Sequence, residues 1–293
     1  MAKPPVNLAA SVKSRLLNIA RKRSQVFDVV LVKFALERLL YRLSISPFRD
    51  KYFLKGGMLV TAWTGNDNRT TKDADFLGYG NSQPSDLIET FTAIMKIEAE
   101  DGVIFDVDGL TAEPIAQDSE YGGIRLRTTA YLEQTRIPIT IDIGFGDAIA
   151  DLTHQIDYPS LLDFPDANLR VYSPASVMAE KFHAIVDLGE LNGRMKDYFD
   201  LWALPQAMTI LPDDLDAAIS ATFARRGTSI PPSIPVGLSR TMTDNRAKQR
   251  QWRAYAKSVG EDSLDYERVI DFIWKILEPS CRRIIQEQKS SPS

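Results

Sequence analysis

The chain has 293 residues, of which 44% are hydrophobic and 25% charged, with a formal net charge of −4. That is the make-up of an ordinary globular protein long enough for two sub-domains. No apolar run approaches the roughly 20 residues that cross a bilayer, and the start Met-Ala-Lys-Pro-Pro precedes no signal-type apolar stretch, so a cytoplasmic protein with no membrane partner is expected. One cysteine, Cys281, and two histidines exclude an internal disulfide and the usual zinc sites.

Val12 to Arg21 and Val26 to Leu43 carry apolar residues at helical spacing, and two opening helices are expected. Tyr52-Phe53-Leu54 then reads as a strand, Gly56-Gly57 as a tight turn and Met58 to Trp63 as a helix. A polar loop, Thr64 to Thr71, leads to a second strand over Asp73–Leu77, and Ser85 to Glu98 reads as a helix. Alternation predicts strands over Ile104–Val107, Ile124–Leu132 and Ile137–Ile143. Pro159, Pro165 and Pro174 punctuate a connector. Ser173-Pro174 has the form of a helix start, a side-chain cap followed by proline at the first position. Helices are expected near 174–188, 195–207, 213–224, 244–258 and 264–288, and the tail from Lys289 to Ser293 reads as disordered. The fold class is therefore α/β (α+β), a mixed sheet followed by a helical C-terminal half. Two domains are expected, 1–172 and 173–293.

Charge is uneven along this order. Residues 1–27 contain Lys3, Lys13, Arg15, Arg21, Lys22 and Arg23 with no acid, the stretch from Asp86 to Glu120 is acidic, and 225–258 is basic apart from Asp244. Such runs are either solvated faces or a polyanion-binding surface. Arg246, Arg250, Arg253 and Lys257 recur at three-to-four-residue spacing, which puts them on one helix face as candidate RNA-binding residues. Trp252 and Tyr255 on the same helix suit base stacking or core packing.

The chemistry starts at Asp73 and Asp75. Residues two apart in a strand project from one face, so both carboxylates converge on one point. Their repulsion is relieved by a divalent cation, and magnesium suits hard oxygens, using one or two carboxylates plus substrate phosphates. Taken alone the pair is weak evidence in a chain with 39 acids. Gly57 stands sixteen positions earlier, at a helix start where backbone N–H groups suit phosphate oxygens, and Gly56 belongs to the same turn. Glycine turn, helix, polar loop and acidic strand is similar to the layout of the polymerase-beta-type nucleotidyltransferase core. A third carboxylate is expected on a neighbouring strand. Asp142, between Ile141 and Ile143, qualifies as metal ligand or catalytic base, with a water-facing edge aspartate as the alternative.

The sequence resembles the AbiEii/AbiGii family through four motifs in order: Phe53-Leu54-Lys55-Gly56-Gly57-Met58, Arg69-Thr70-Thr71-Lys72-Asp73-Ala74-Asp75, Ala179-Glu180-Lys181-Phe182-His183-Ala184 and Arg194-Met195-Lys196-Asp197-Tyr198-Phe199-Asp200-Leu201. These cover residues 53 to about 204, roughly half the chain. The resemblance implies a nucleotidyltransferase-like toxin of type IV toxin–antitoxin and abortive-infection systems. It further implies Mg²⁺, a nucleoside triphosphate (NTP) co-substrate, an RNA acceptor with the tRNA 3′ end foremost, and a cognate antitoxin, a DNA-binding protein from a neighbouring reading frame. Implied catalytic residues are Asp73, Asp75, Asp142, Lys181 and Asp197. Implied nucleotide contacts are Gly56, Gly57, Thr71, Lys72, Lys181 and Arg194. Met58 replaces the family's frequent threonine or serine, which removes a hydroxyl contact. Asp200 is expected to be structural, pairing with a cation, and His183 to be packed. A protein or small-molecule acceptor, or a non-catalytic partner-binding module, are the alternatives.

Overall fold

The computed structural model describes residues 7–115, 122–146 and 154–290. In chain order they form α1 (Leu8–Lys22), α2 (Phe27–Ser44), β1 (Tyr52–Lys55), α3 (Gly56–Thr64), β2 (Ala74–Gly78), α4 (Pro84–Met95), β3 (Val103–Phe105) and β4 (Thr111–Ile115). Next come β5 (Gly123–Leu132), β6 (Thr135–Phe145), β7 (Gln155–Tyr158) and β8 (Ala167–Arg170). The remainder is helical: α5 (Pro174–Leu188), α6 (Met195–Ala207), α7 (Pro212–Arg225), α8 (Arg240–Thr243), α9 (Arg246–Ser258) and α10 (Tyr266–Ser290). The mixed α/β class and the helical C-terminal half agree with the sequence reading.

The described residues cluster into two compact units. The first draws on the described residues of 7–62, 70–146 and 154–171, the second on those of 63–69 and 172–290. Within the first, the sheet runs β1-β2-β6-β5-β3 with β4 also paired to β5. It is mixed: β2 and β6 are parallel, while β1 with β2 and β5 with β6 are antiparallel. Strand alternation fixes its two faces. Ala74, Phe76, Leu126, Ile139, Ile141 and Ile143 are buried, and Phe76 meets Tyr52 of β1 and Phe91 of α4 edge-on or tilted. The other face of β2 and β6 carries Asp75 and Asp142, both half-buried.

Helix α2 packs against β6 and β8 with Phe34, Ala35, Leu36, Leu39 and Leu40 fully or almost fully buried. Its Arg42 is buried as well, answered by a two-pronged ion pair with Asp101 at 2.6 and 3.0 Å. In the second unit α5 packs on α6 and α7, and α10 on α6 and α7, around Phe182, Tyr198, Phe199 and Phe223. The Ser173 hydroxyl accepts from the Ser176 N–H with Pro174 in the first turn, the cap that the sequence predicts.

Three expectations need correction. Strand β4 was not anticipated because Glu113 and Pro114 interrupt its apolar alternation, yet it pairs with β5 throughout its length. The proline-punctuated connector contains the β7–β8 hairpin. Helix α10 continues to Ser290, so Lys289 and Ser290 are helical rather than a loose tail. The rest of that tail, 291–293, lies outside the described residues, as do Lys3 and residues 116–120 of the acidic stretch.

Candidate active site

The glycine turn and the acidic strand meet in the first unit. Asp73 sits in a bend just before β2, which starts at Ala74, so the strand is one residue shorter than its spacing suggests. Asp75 lies within β2 and pairs in register with Asp142 of the parallel neighbour β6. Side chains at paired positions project from one face. One carboxylate oxygen each from Asp73, Asp75 and Asp142 lie within 4.8 Å of one another. All three residues are half-buried, where mutual repulsion is only partly screened by water. The oxygen-only donor set fits a hard divalent cation.

Gly56 explains how close the turn comes to this cluster. It opens α3 with φ of +68°, and a Cβ built on it would stand 1.9 Å from Oδ2 of Asp75. The Gly57 N–H donates to the same Oδ2 at 3.4 Å. The glycine pair thus admits the Asp75 carboxylate, a service that the sequence reading had not assigned to it. Met58 is buried in α3, Thr71 is half-buried and Lys72 is exposed.

Asp142 does not face water at an edge. It occupies a central strand and is gripped by Arg125 of β5, with Nε donating to Oδ1 at 2.7 Å and Nη2 to Oδ2 at 2.6 Å. That fork is the main reason the Arg125 guanidinium is held protonated even more firmly than usual, with the carboxylates of Asp142, Asp73 and Glu113 adding to it. Arg125 was not singled out in the sequence, where an arginine in an alternating strand looks like a solvated residue.

The second unit holds a different cluster. Lys181 on α5 donates to Asp197 at 2.8 Å and forms an ion pair with Asp200 at 2.6 Å, its side chain only 11% exposed. Asp197 and Asp200, one helical turn apart on α6, share the face that meets it. Asp200 also accepts a fork from Arg69 at 2.5 and 2.6 Å. Burial would raise the Asp200 carboxyl, but Arg69 and Lys181 outweigh it and hold that carboxyl below the usual carboxylate range. Burial likewise works against the charged Lys181, yet the two carboxylates keep its ammonium more firmly protonated than normal. A lysine has three N–H donors, so two carboxylates leave one donor for a further acceptor. Arg69 opens the second of the four motifs, and its partner lies 131 positions away.

Arg194 is exposed at the position before α6, while Asp197 of that helix holds Lys181. His183 is packed, as expected, edge-on to Phe223 and 2.9 Å from the Thr228 hydroxyl. Burial, then the nearby Arg226, push its imidazole down to about 4. On α9, Arg246, Arg250, Arg253 and Lys257 are all exposed, and the helix contains no acid. Trp252 is core: buried, stacked on Tyr266 at 5.2 Å and donating to the Leu264 carbonyl. Tyr255 packs edge-on against Phe199 of α6. Among the described residues no helix is long and apolar enough to cross a membrane.

A family model described as nucleotidyl transferase AbiEii toxin, type IV TA system, matches residues 38–278. Among solved structures, the chain is similar to a candidate nucleotidyltransferase from H. pylori at 13% identity and a TM-score of 0.46, covering 88% of this chain and 96% of that one. It is also similar to JHP933 from Helicobacter pylori at 13% identity and a TM-score of 0.43, covering 89% of this chain and 95% of the other. No curated protein matches the sequence.

Proposed function

The chain belongs to the family of AbiEii nucleotidyl transferase toxins of type IV toxin–antitoxin systems, and from that premise we propose that it transfers a nucleoside monophosphate from an NTP to RNA in a Mg²⁺-dependent reaction. The supporting observation is the trio Asp73, Asp75 and Asp142, whose carboxylate oxygens lie within 4.8 Å of one another beside a glycine turn. These three residues would hold the ion. When bound, Mg²⁺ would neutralise phosphate charge and favour displacement at phosphorus. An acceptor hydroxyl attacks the α-phosphorus in line, the new O–P bond forms as the α–β bridge breaks, and pyrophosphate leaves with that electron pair. Asp142 already accepts two hydrogen bonds from Arg125. It therefore serves better as a fixed ligand than as the acceptor of the hydroxyl proton, which passes to solvent.

Gly56, Gly57, Thr71 and Lys72 flank the acids and are proposed to contact the triphosphate, with Lys181 and Arg194 as further cationic contacts and Asp197 fixing Lys181. The exposed row Arg246, Arg250, Arg253 and Lys257 is proposed to bind the RNA backbone, with a tRNA 3′ end as acceptor. The α/β domain is read as residues 1–172 and the helical domain as 173–293. A cytoplasmic toxin of this kind is neutralised by a cognate antitoxin, a DNA-binding protein from a neighbouring reading frame. Incubation of the protein with total RNA and each labelled NTP in turn tests the reading. Mg²⁺-dependent label in a tRNA-sized band is expected. Label appearing only in protein, or in none of the reactions, would overturn the RNA acceptor.

A further inference from the structure

The row of side chains that crosses the sheet at the acids extends beyond them. In register it reads Lys55 on β1, Asp75 on β2, Asp142 on β6, Arg125 on β5 and Glu113 on β4. The two adjacent carboxylates are thus bracketed by a cation on each neighbouring strand. Arg125 has an acid in register on both sides, yet its fork closes on Asp142, while Glu113 pairs with Arg127. The Arg125 side chain is 32% exposed and that of Asp142 17%, so the pair is screened less than a surface pair would be.

Resting on the metal reading above, we infer that Arg125 is a positioning residue for the acidic trio: it is the resident counter-cation that orients Asp142 and keeps divalent-ion binding weak until a nucleotide arrives. Three carboxylates this close repel one another, and a guanidinium fixed against one of them offsets part of that charge in the ion-free protein. A guanidinium cannot shed its proton to make room for an ion. It therefore opposes a dication arriving alone. A triphosphate supplies the missing negative charge, so ion and nucleotide favour each other's binding, and that coupling is reciprocal. The fork also holds both oxygens of Asp142 in one plane, as two parallel N–H···O bonds do.

The test is Mn²⁺ binding to the full chain by calorimetry, with and without a non-hydrolysable NTP analogue. Arg125→Gln and Arg125→Met remove the charge, and Arg125→Lys keeps it while losing the fork. Without nucleotide, the Gln and Met variants should bind Mn²⁺ about tenfold more tightly than wild type, from the loss of a unit charge a few ångströms from a dication. A similar gain should appear with the analogue bound, because the guanidinium opposes the ion in both states. The Lys variant should keep wild-type Mn²⁺ affinity but lose turnover at unchanged KM. Two charge-removing variants guard against one failing to fold. Equal or weaker Mn²⁺ binding in them, alongside wild-type binding that Asp73→Asn abolishes, overturns the role of Arg125 and leaves the metal reading intact. Wild type and Asp73→Asn binding Mn²⁺ alike would overturn both.

Discussion

Replacing Gly56 by alanine should disable the acidic site by a route that can be worked out from the backbone. The new Cβ would lie 1.9 Å from Oδ2, 2.6 Å from Cγ and 2.8 Å from Cβ of Asp75. Carbon atoms not bonded to one another settle at about 3.5–4.0 Å, so the carboxylate must move by about 1 Å or more. Asp75 is paired on both sides, to Lys55 and to Asp142, so its carboxylate must yield, and the start of α3 must also shift to relieve the 2.8 Å contact with the strand-fixed Cβ. A misplacement of about 1 Å at a reacting centre costs on the order of 100-fold in rate. Alanine at φ +68° also costs about 1–2 kcal/mol of stability, because its Cβ crowds the following carbonyl. Gly65→Ala separates the two effects, since Gly65 has φ +65° with nothing within 4 Å of a built Cβ. Urea unfolding should show a loss in both variants, larger in Gly56→Ala because only there does the clash add to the backbone cost. Label transfer and Mn²⁺ binding should fail only in Gly56→Ala. Equal activity in the two variants would refute the claim that this glycine exists to admit Asp75.

Asp200→Asn should destabilise the protein by about 3–5 kcal/mol, because it leaves Arg69 and Lys181 buried with Asp197 as the remaining carboxylate; an unchanged urea midpoint would contradict this. His183 has a folded-state value of about 4 against an ordinary 6.5, so the unfolded chain binds the proton more readily. Its contribution is then complete above pH 6.5 and is lost as pH falls from there to about 4. Urea midpoints across that window should slope for wild type and flatten for His183→Gln, and parallel curves would contradict the assignment. Reversing the charges of Arg250 and Arg253 to glutamate should reduce RNA labelling and the salt sensitivity of RNA binding while leaving Mn²⁺ and NTP binding unchanged; loss of all three would make α9 a structural element instead.

Much of this arrangement is legible in the residue order because it rests on short-range rules. The two-residue spacing keeps Asp73 close to Asp75 although Asp73 lies in a bend before β2, and the run Ile139–Ile143 leaves Asp142 on the face opposite its isoleucines. Ser173-Pro174 announces α5, and the spacing of Asp197 and Asp200 puts them on one side of α6. What stayed hidden depends on pairing across long separations. The Arg125–Asp142 fork follows from the register of β5 on β6, and nothing local distinguishes Arg125 from Arg127 two positions on, which serves Glu113. Arg69 looks like any loop arginine until α6 brings Asp200 to it. Trp252 reads equally well as a stacking platform or a core residue, and only Tyr266, on the next long helix, decides for the core. Strand β4 forms against the propensity of Glu113 and Pro114, because pairing with β5 outweighs them.

Pyrophosphate release from an NTP in the presence of RNA, compared between wild type and Asp75→Asn, bears most directly on the proposed chemistry. The asparagine keeps the shape of the side chain and removes the charge facing Asp73 and Asp142. Release should depend on Mg²⁺ in the wild-type protein and fall in the variant to the level seen with excess chelator, while the urea midpoint stays near that of wild type. Release that continues at the wild-type rate in Asp75→Asn, or that ignores the chelator, would contradict a metal-bearing acidic trio as the seat of the reaction.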